Sequence, residues 1–158
     1  MSTTSTTFEA RRDRVVSSVR ATGDHQPPPV RVLLVDDDRL ASYSLWALLN
    51  WQPGIRVSAS AQSINEAVDM VHQLRPDVCL VSAGLESGDG MRLADRLTEL
   101  PAPPHVLIYA DRLDAELDGV ASAGAGGIIS RYADPHEVAD LIARVAAGKA
   151  TGPVIGPS

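Results

Sequence analysis

Three successive carboxylates, Asp36-Asp37-Asp38, stand directly after the apolar run that begins at Arg31 and ends at Val35. A single serine, Ser82, closes a second and more uniformly apolar run, Val78 to Ser82. Tyr109 nearly ends a third, and Arg131 follows a short fourth at Ile128-Ile129. Read alone, the aspartates make a solvated turn with a helix cap. Read with the other three residues, they make an acidic pocket. A serine hydroxyl is neutral and attacks only when a base activates it. No such base is recognisable: His72, His105 and His136 fall outside the expected crevice, and His25 lies near the N-terminus. There is no Gly-x-Ser-x-Gly elbow and no His/Cys cluster with metal-ligand spacing. These residues therefore speak against an enzyme.

The elements that must position them alternate. Arg31 to Val35 reads as a strand, followed by a helix from about Arg39 to Leu49 that offers Leu40, Tyr43, Leu45, Leu48 and Leu49 as its buried side. Trp46 and Trp51 are expected to pack around it. Pro53-Gly54 makes the turn into a second strand, Ile55 to Ala59. Ser63-Ile64-Asn65-Glu66 has capping-box spacing, with Glu66 reaching back, and opens a helix to about Leu74. The third strand, Val78 to Ser82, runs into a loop containing Gly84, Ser87, Gly88 and Gly90. A helix from Met91 to Leu100, a strand from His105 to Ala110 and a helix from Asp111 to Ala123 follow. Ile128-Ile129 is the fifth strand. Asp134-Pro135-His136-Glu137 starts the last helix, with Asp as N-cap and Pro in the first turn, and Gly148 stands where a C-terminal cap belongs.

Five strand–helix units with short connections predict an α/β fold: a flavodoxin-like, doubly wound, five-stranded parallel sheet, (βα)5, in order 2-1-3-4-5. In that order the first and third strands flank the switch point, so Asp36, Asp37, Ser82, Tyr109 and Arg131 converge on one crevice at the carboxyl ends of the strands. The domain spans 30–148. Residues 1–29 read as a flexible N-terminal arm that either stays free or packs on the domain or a partner. Phe8, Val15, Val16 and Val19 are set there against Arg11, Arg12, Arg14 and Arg20, ahead of Pro27 to Pro29. Residues 149–158, with two prolines and two glycines, read as a linker stump.

Bulk properties narrow the function. The 158 residues carry a net charge of −6, which disfavours a nucleic-acid binder because phosphate contacts need clustered Lys and Arg. No run approaches a membrane helix, and Met1 to Thr7 lacks the apolar core of a signal peptide. The lone Cys79 sits in a predicted strand as a small core residue, so no disulfide forms within the chain. A cytoplasmic protein is expected.

Over about residues 30 to 148 the sequence closely resembles the receiver domain of bacterial two-component response regulators. The resemblance is carried by Val32-Leu33-Leu34-Val35-Asp36-Asp37-Asp38, Pro76-Asp77, Gly88-Asp89-Gly90 and Gly124-Ala125-Gly126-Gly127. Asp134-Pro135-His136-Glu137 through Ala146-Ala147-Gly148 looks like the end of receivers that precede a LuxR-type helix-turn-helix domain. The resemblance implies that Asp36 and Asp37 are the Mg²⁺-holding acidic pair and that Ser82 stands at the position of the phosphoacceptor Asp. It places Tyr109 at the Thr/Ser position, Arg131 at the Lys position and Ile128 at the aromatic switch position. Serine removes a charged nucleophile and one oxygen ligand, so Mg²⁺ binding is expected to be weak or absent and phosphorylation is not expected. Tyr109 fills the space left for phosphate. The forked Arg131 is expected to pair with Asp36 or Asp37 and close the pocket from within.

The expected function is a phosphorylation-independent receiver-like module of a transcription regulator. It would dimerise with itself or a related response regulator, either around the fifth strand and its flanking helices or through the first and last helices. It would meet DNA only through an output domain outside these residues. The alternative is a small-molecule sensor with its ligand in the crevice near Asp36, Asp37 and Ser82.

Overall fold

A computed structural model describes residues 27–85, 89–111 and 125–148. Five strands, β1 (Val30–Val35), β2 (Ile55–Ala61), β3 (Val78–Ser82), β4 (His105–Ala110) and β5 (Gly127–Ser130), form one sheet in the order β2-β1-β3-β4-β5. All four pairings are parallel, so every connection must cross over a face. The crossovers and the last element include α1 (Arg39–Asn50), α2 (Ile64–Leu74), α3 (Asp89–Thr98) and α4 (Pro135–Ala146). The helix expected over 111–123 falls almost wholly outside the described residues, as do the N-terminal arm and the linker stump.

The strands alternate between two cores, as the two-residue period of a strand requires. Leu33, Val35, Cys79, Val81, Val106, Ile108 and Ile128 face α2 and α3. Val32, Leu34, Val78, Leu80, Leu107, Tyr109 and Ile129 face α1 and α4. Both faces are covered, which explains why β1 and β3 read as continuous apolar runs.

The helix starts follow their cap residues. Asp38 accepts hydrogen bonds from the amides of Leu40 and Ala41 at 3.0 and 3.1 Å. Ser63 accepts from the Glu66 amide at 3.2 Å. Glu66 reaches back one residue further than the capping box predicts, to the Gln62 amide at 3.3 Å. Asp134 accepts from the His136 amide at 2.7 Å, with Pro135 in the first turn.

Two expectations fail. The helix after β3 starts at Asp89, so Gly90 belongs to its first turn and not to the loop. A β-carbon at Gly90 would lie 2.2 Å from the Ser82 carbonyl oxygen, so this position must be glycine for α3 to seat against the end of β3. The buried side of α1 is also different. Ser42, Leu49 and partly Leu45 face inward, whereas Leu40, Tyr43 and Leu48 face outward. Leu40 is 76% exposed and Tyr43 68%. Trp46 and Trp51 do not pack inside either; Trp51 is 85% exposed. The cause is composition: α1 carries apolar residues around most of its circumference, so periodicity does not single out one face.

Candidate functional site

The carboxyl ends of β1, β3 and β4, with the residue after β5, bring four of the five sequence-selected residues together. Asp36 continues β1 and is 1% exposed. Its backbone amide donates to the Ala61 carbonyl at 3.0 Å, which holds it at the rim of the sheet. Ser82 ends β3, also 1% exposed, and is paired in register with Tyr109 of β4. Arg131 follows β5, with its amide donating to the Ala110 carbonyl at 2.9 Å. Asp37 is the exception: it is exposed beside this group. Ile128 is buried on the opposite face, among the residues packed under α2 and α3.

The polar groups satisfy one another. The Tyr109 hydroxyl donates a short hydrogen bond to Asp36 Oδ2. Asp36 Oδ1 accepts from the Asp38 amide at 3.0 Å. Ser82 Oγ accepts from the Gly84 amide at 3.2 Å and from Arg131 Nη2 at 3.4 Å. Burial, and secondarily the bond to the Asp36 carboxylate, pushes the Tyr109 hydroxyl well above its ordinary pKa of 10.0; Arg131 and Ser82 oppose that rise. Tyr109 therefore stays protonated and acts as a donor at neutral pH.

Arg131 pairs with Asp36 as expected, though at long range, with Nη2 3.9 Å from Oδ2. Among the described residues it also makes a shorter, unexpected contact with Asp111, with Nε 2.8 Å from Oδ1. The contact with Asp111 is an ion pair without a well-aimed N–H, because Nε has no hydrogen-bond acceptor among the described residues. Asp111 is largely exposed, so this pair adds little to stability. Tyr109 is the physical reason that the pair with Asp36 is long. Its hydroxyl already occupies Asp36 Oδ2, and its ring lies beneath the guanidinium, 5.4 Å from carbon to ring centroid. Arg131 is thereby held at the rim. Sheet register could have revealed Asp111: Ala110 pairs with Ser130, so residues 111 and 131 leave neighbouring strands at the same level. The roles of the Gly84 amide and of Gly90 carried no residue-type signal, because both act through backbone.

A hard cation such as Mg²⁺ needs several oxygen ligands. Here both oxygens of Asp36 already accept protein hydrogen bonds, and Ser82 contributes a neutral hydroxyl. No group of three or more His, Cys, Asp or Glu that could hold a metal occurs among the described residues. The donor set fits the ion poorly. An apolar cavity of about 200 Å³, lined in part by Tyr109 and Arg131, lies between α1 and α4. No helix among the described residues is long and apolar enough to cross a membrane.

Comparison with known proteins matches this architecture. The family model for the response regulator receiver domain matches residues 32–143. The transcriptional regulatory protein LiaR of Bacillus subtilis is 29% identical over 121 residues, covering 76% of this chain and 57% of LiaR. The DNA-binding transcriptional activator DevR/DosR of Mycobacterium tuberculosis is 31% identical over 121 residues, covering 76% of this chain and 56% of that protein. The chain thus spans about half the length of the curated relatives it matches. Among solved structures, a LuxR-family two-component response regulator from Aurantimonas superposes with a TM-score of 0.72 at 24% identity, over 82% of this chain and 91% of the other. The receiver domain of a NarL response regulator from Mycobacterium tuberculosis gives 0.71 at 23% identity, over 77% and 99%. Both likenesses concern the fold.

Proposed function

Because the chain belongs to the response regulator receiver domain family, we propose that it is the receiver module of a LuxR-type transcription regulator and that it works without phosphorylation. Its output is association, with a second copy or a related regulator, and DNA is met through a domain outside these residues. The domain begins near residue 30 and ends near residue 148, with an arm before it and a linker after it. The observation that supports this most is the Tyr109 hydroxyl bonded to Asp36 Oδ2. At the position the family uses for a phosphoacceptor stands Ser82, whose oxygen is engaged by the Gly84 amide and Arg131. Phosphate and Mg²⁺ would have to displace these contacts. Activating the Ser82 hydroxyl would also need a base, and Asp36 is already taken up by the hydrogen bond from Tyr109. Mg²⁺ binding is accordingly weak or absent, and the module performs no catalysis.

Sedimentation velocity over a concentration series, with and without Mg²⁺ and acetyl phosphate, tests this reading. The expected result is a concentration-dependent dimer whose dissociation constant ignores both additions. A monomer that dimerises only with the phosphodonor would overturn the reading.

A further inference from the structure

The outer face of α1 is the least explained surface of the described residues. Leu40, Tyr43, Trp46, Leu48 and Trp51 are all exposed on it or just beyond its end. Arg39 is the single charged residue in its 12 positions. A helix that is apolar nearly all round is normally covered. The face also runs into the apolar cavity between α1 and α4, because Leu45 and Leu48 line that cavity.

We propose that the chain's own N-terminal stretch, residues 8–20, covers α1. Four observations select this occupant. First, the described chain begins at the right place: Pro28 and Pro29 share a surface pocket with Trp46, so the preceding residues are delivered to the α1 side. Second, the lengths agree. Residues 8–20 as a helix would extend about 20 Å, close to the length of α1. The six residues between Arg20 and Pro27 can span up to about 20 Å when extended. Third, the chemistry agrees. Phe8, Val15, Val16 and Val19 supply an apolar side, and Arg11, Arg12, Arg14 and Arg20 outnumber Glu9 and Asp13. The acidic residues Asp37, Asp38, Glu137 and Asp140 are exposed on or beside α1 and α4. Fourth, size agrees. Ala41, Ser44, Leu45 and Leu48 border the apolar cavity at the edge of this face. That cavity, at about 200 Å³, admits a phenyl ring, and Phe8 is the one phenylalanine of the chain.

Tethering favours this occupant over a free partner, because a short linker gives an effective concentration of about millimolar. With α1 covered, the surface around β5 remains for the regulatory partner. The inference concerns α1 alone and does not depend on whether the pocket takes phosphate.

The two tryptophans of the chain, Trp46 and Trp51, both report on this face. The test compares the full chain with its Val15→Asp/Val19→Asp variant, by Trp emission and acrylamide quenching. Wild type should show shielded emission that persists on dilution to the monomer. The variant should show a red-shifted emission and a several-fold larger quenching constant, with a cooperative urea transition retained at a somewhat lower midpoint. Identical emission and quenching in the two proteins would overturn the proposal. So would wild-type shielding that is lost on dilution, which would assign the face to a second copy.

Discussion

Tyr109→Phe isolates the bond on which the closed pocket depends. The ring, its burial and its packing under α1 and α4 stay in place, and one hydroxyl is removed. Asp36, 1% exposed, then keeps the Asp38 amide on Oδ1 but loses the one hydrogen-bond donor that the described residues place on Oδ2. The nearest replacement, Arg131 Nη2, is 3.9 Å away and would have to leave its position beside Asp111. A hydrogen bond to a charged group contributes about 1.5–3 kcal/mol, and partial rescue by Arg131 places the expected loss near 2 kcal/mol. For a domain of this size the urea dependence is about 2 kcal/mol per molar, so the midpoint should fall by about 1 M with an unchanged slope. Urea unfolding followed by far-ultraviolet circular dichroism reads this directly. A double-mutant cycle with Asp36→Asn should return a coupling of about 1–2 kcal/mol. A Tyr109→Phe midpoint equal to or above that of wild type, or a cycle that closes to zero, would refute the reasoning.

Other expectations follow from the same geometry. Gly90→Ala should destabilise by about 2 kcal/mol, because its β-carbon meets the Ser82 carbonyl backbone at 2.2 Å, and the loss is read by thermal unfolding. Tyr109 and Cys79 both have native pKa values raised by burial, Cys79 from 9.0 to about 12. A raised native value favours the fold while the group is protonated. Their contribution is therefore complete below pH 9, and stability should decline as pH rises above 9 to 10; a pH titration of the urea midpoint checks this, and Tyr109→Phe should remove part of the decline. Cys79, wholly buried, should react with a thiol reagent only when the domain opens.

Much of this was legible in the sequence, and the failures have identifiable causes. The order β2-β1-β3-β4-β5 follows from strand–helix alternation and the handedness of crossovers, so the meeting of Asp36, Ser82, Tyr109 and Arg131 could be anticipated without coordinates. α2 was readable because Asn65, Glu66, Asp69 and His72 mark its wet side and Ala67 and Val71 its dry one. α1 was not, because its apolar residues do not confine themselves to one stripe. The partner of Arg131 depends on where a tyrosine ring lies and on which acceptor its hydroxyl takes. Those are packing outcomes: residue type pointed Arg131 to Asp36 or Asp37, and the shorter contact with Asp111 came only with the structure. Gly90 was misplaced into the loop because glycine signals a turn, whereas here it serves close backbone contact.

The central claim is that the pocket at Ser82 does not take a phosphoryl group. The most direct measurement is the intact mass of the full chain after incubation with acetyl phosphate and Mg²⁺, analysed under conditions that preserve acyl and ester phosphates. The account predicts a single species at the unmodified mass, at every Mg²⁺ concentration. A phosphoryl adduct that forms in wild type and is absent from Ser82→Ala would contradict it.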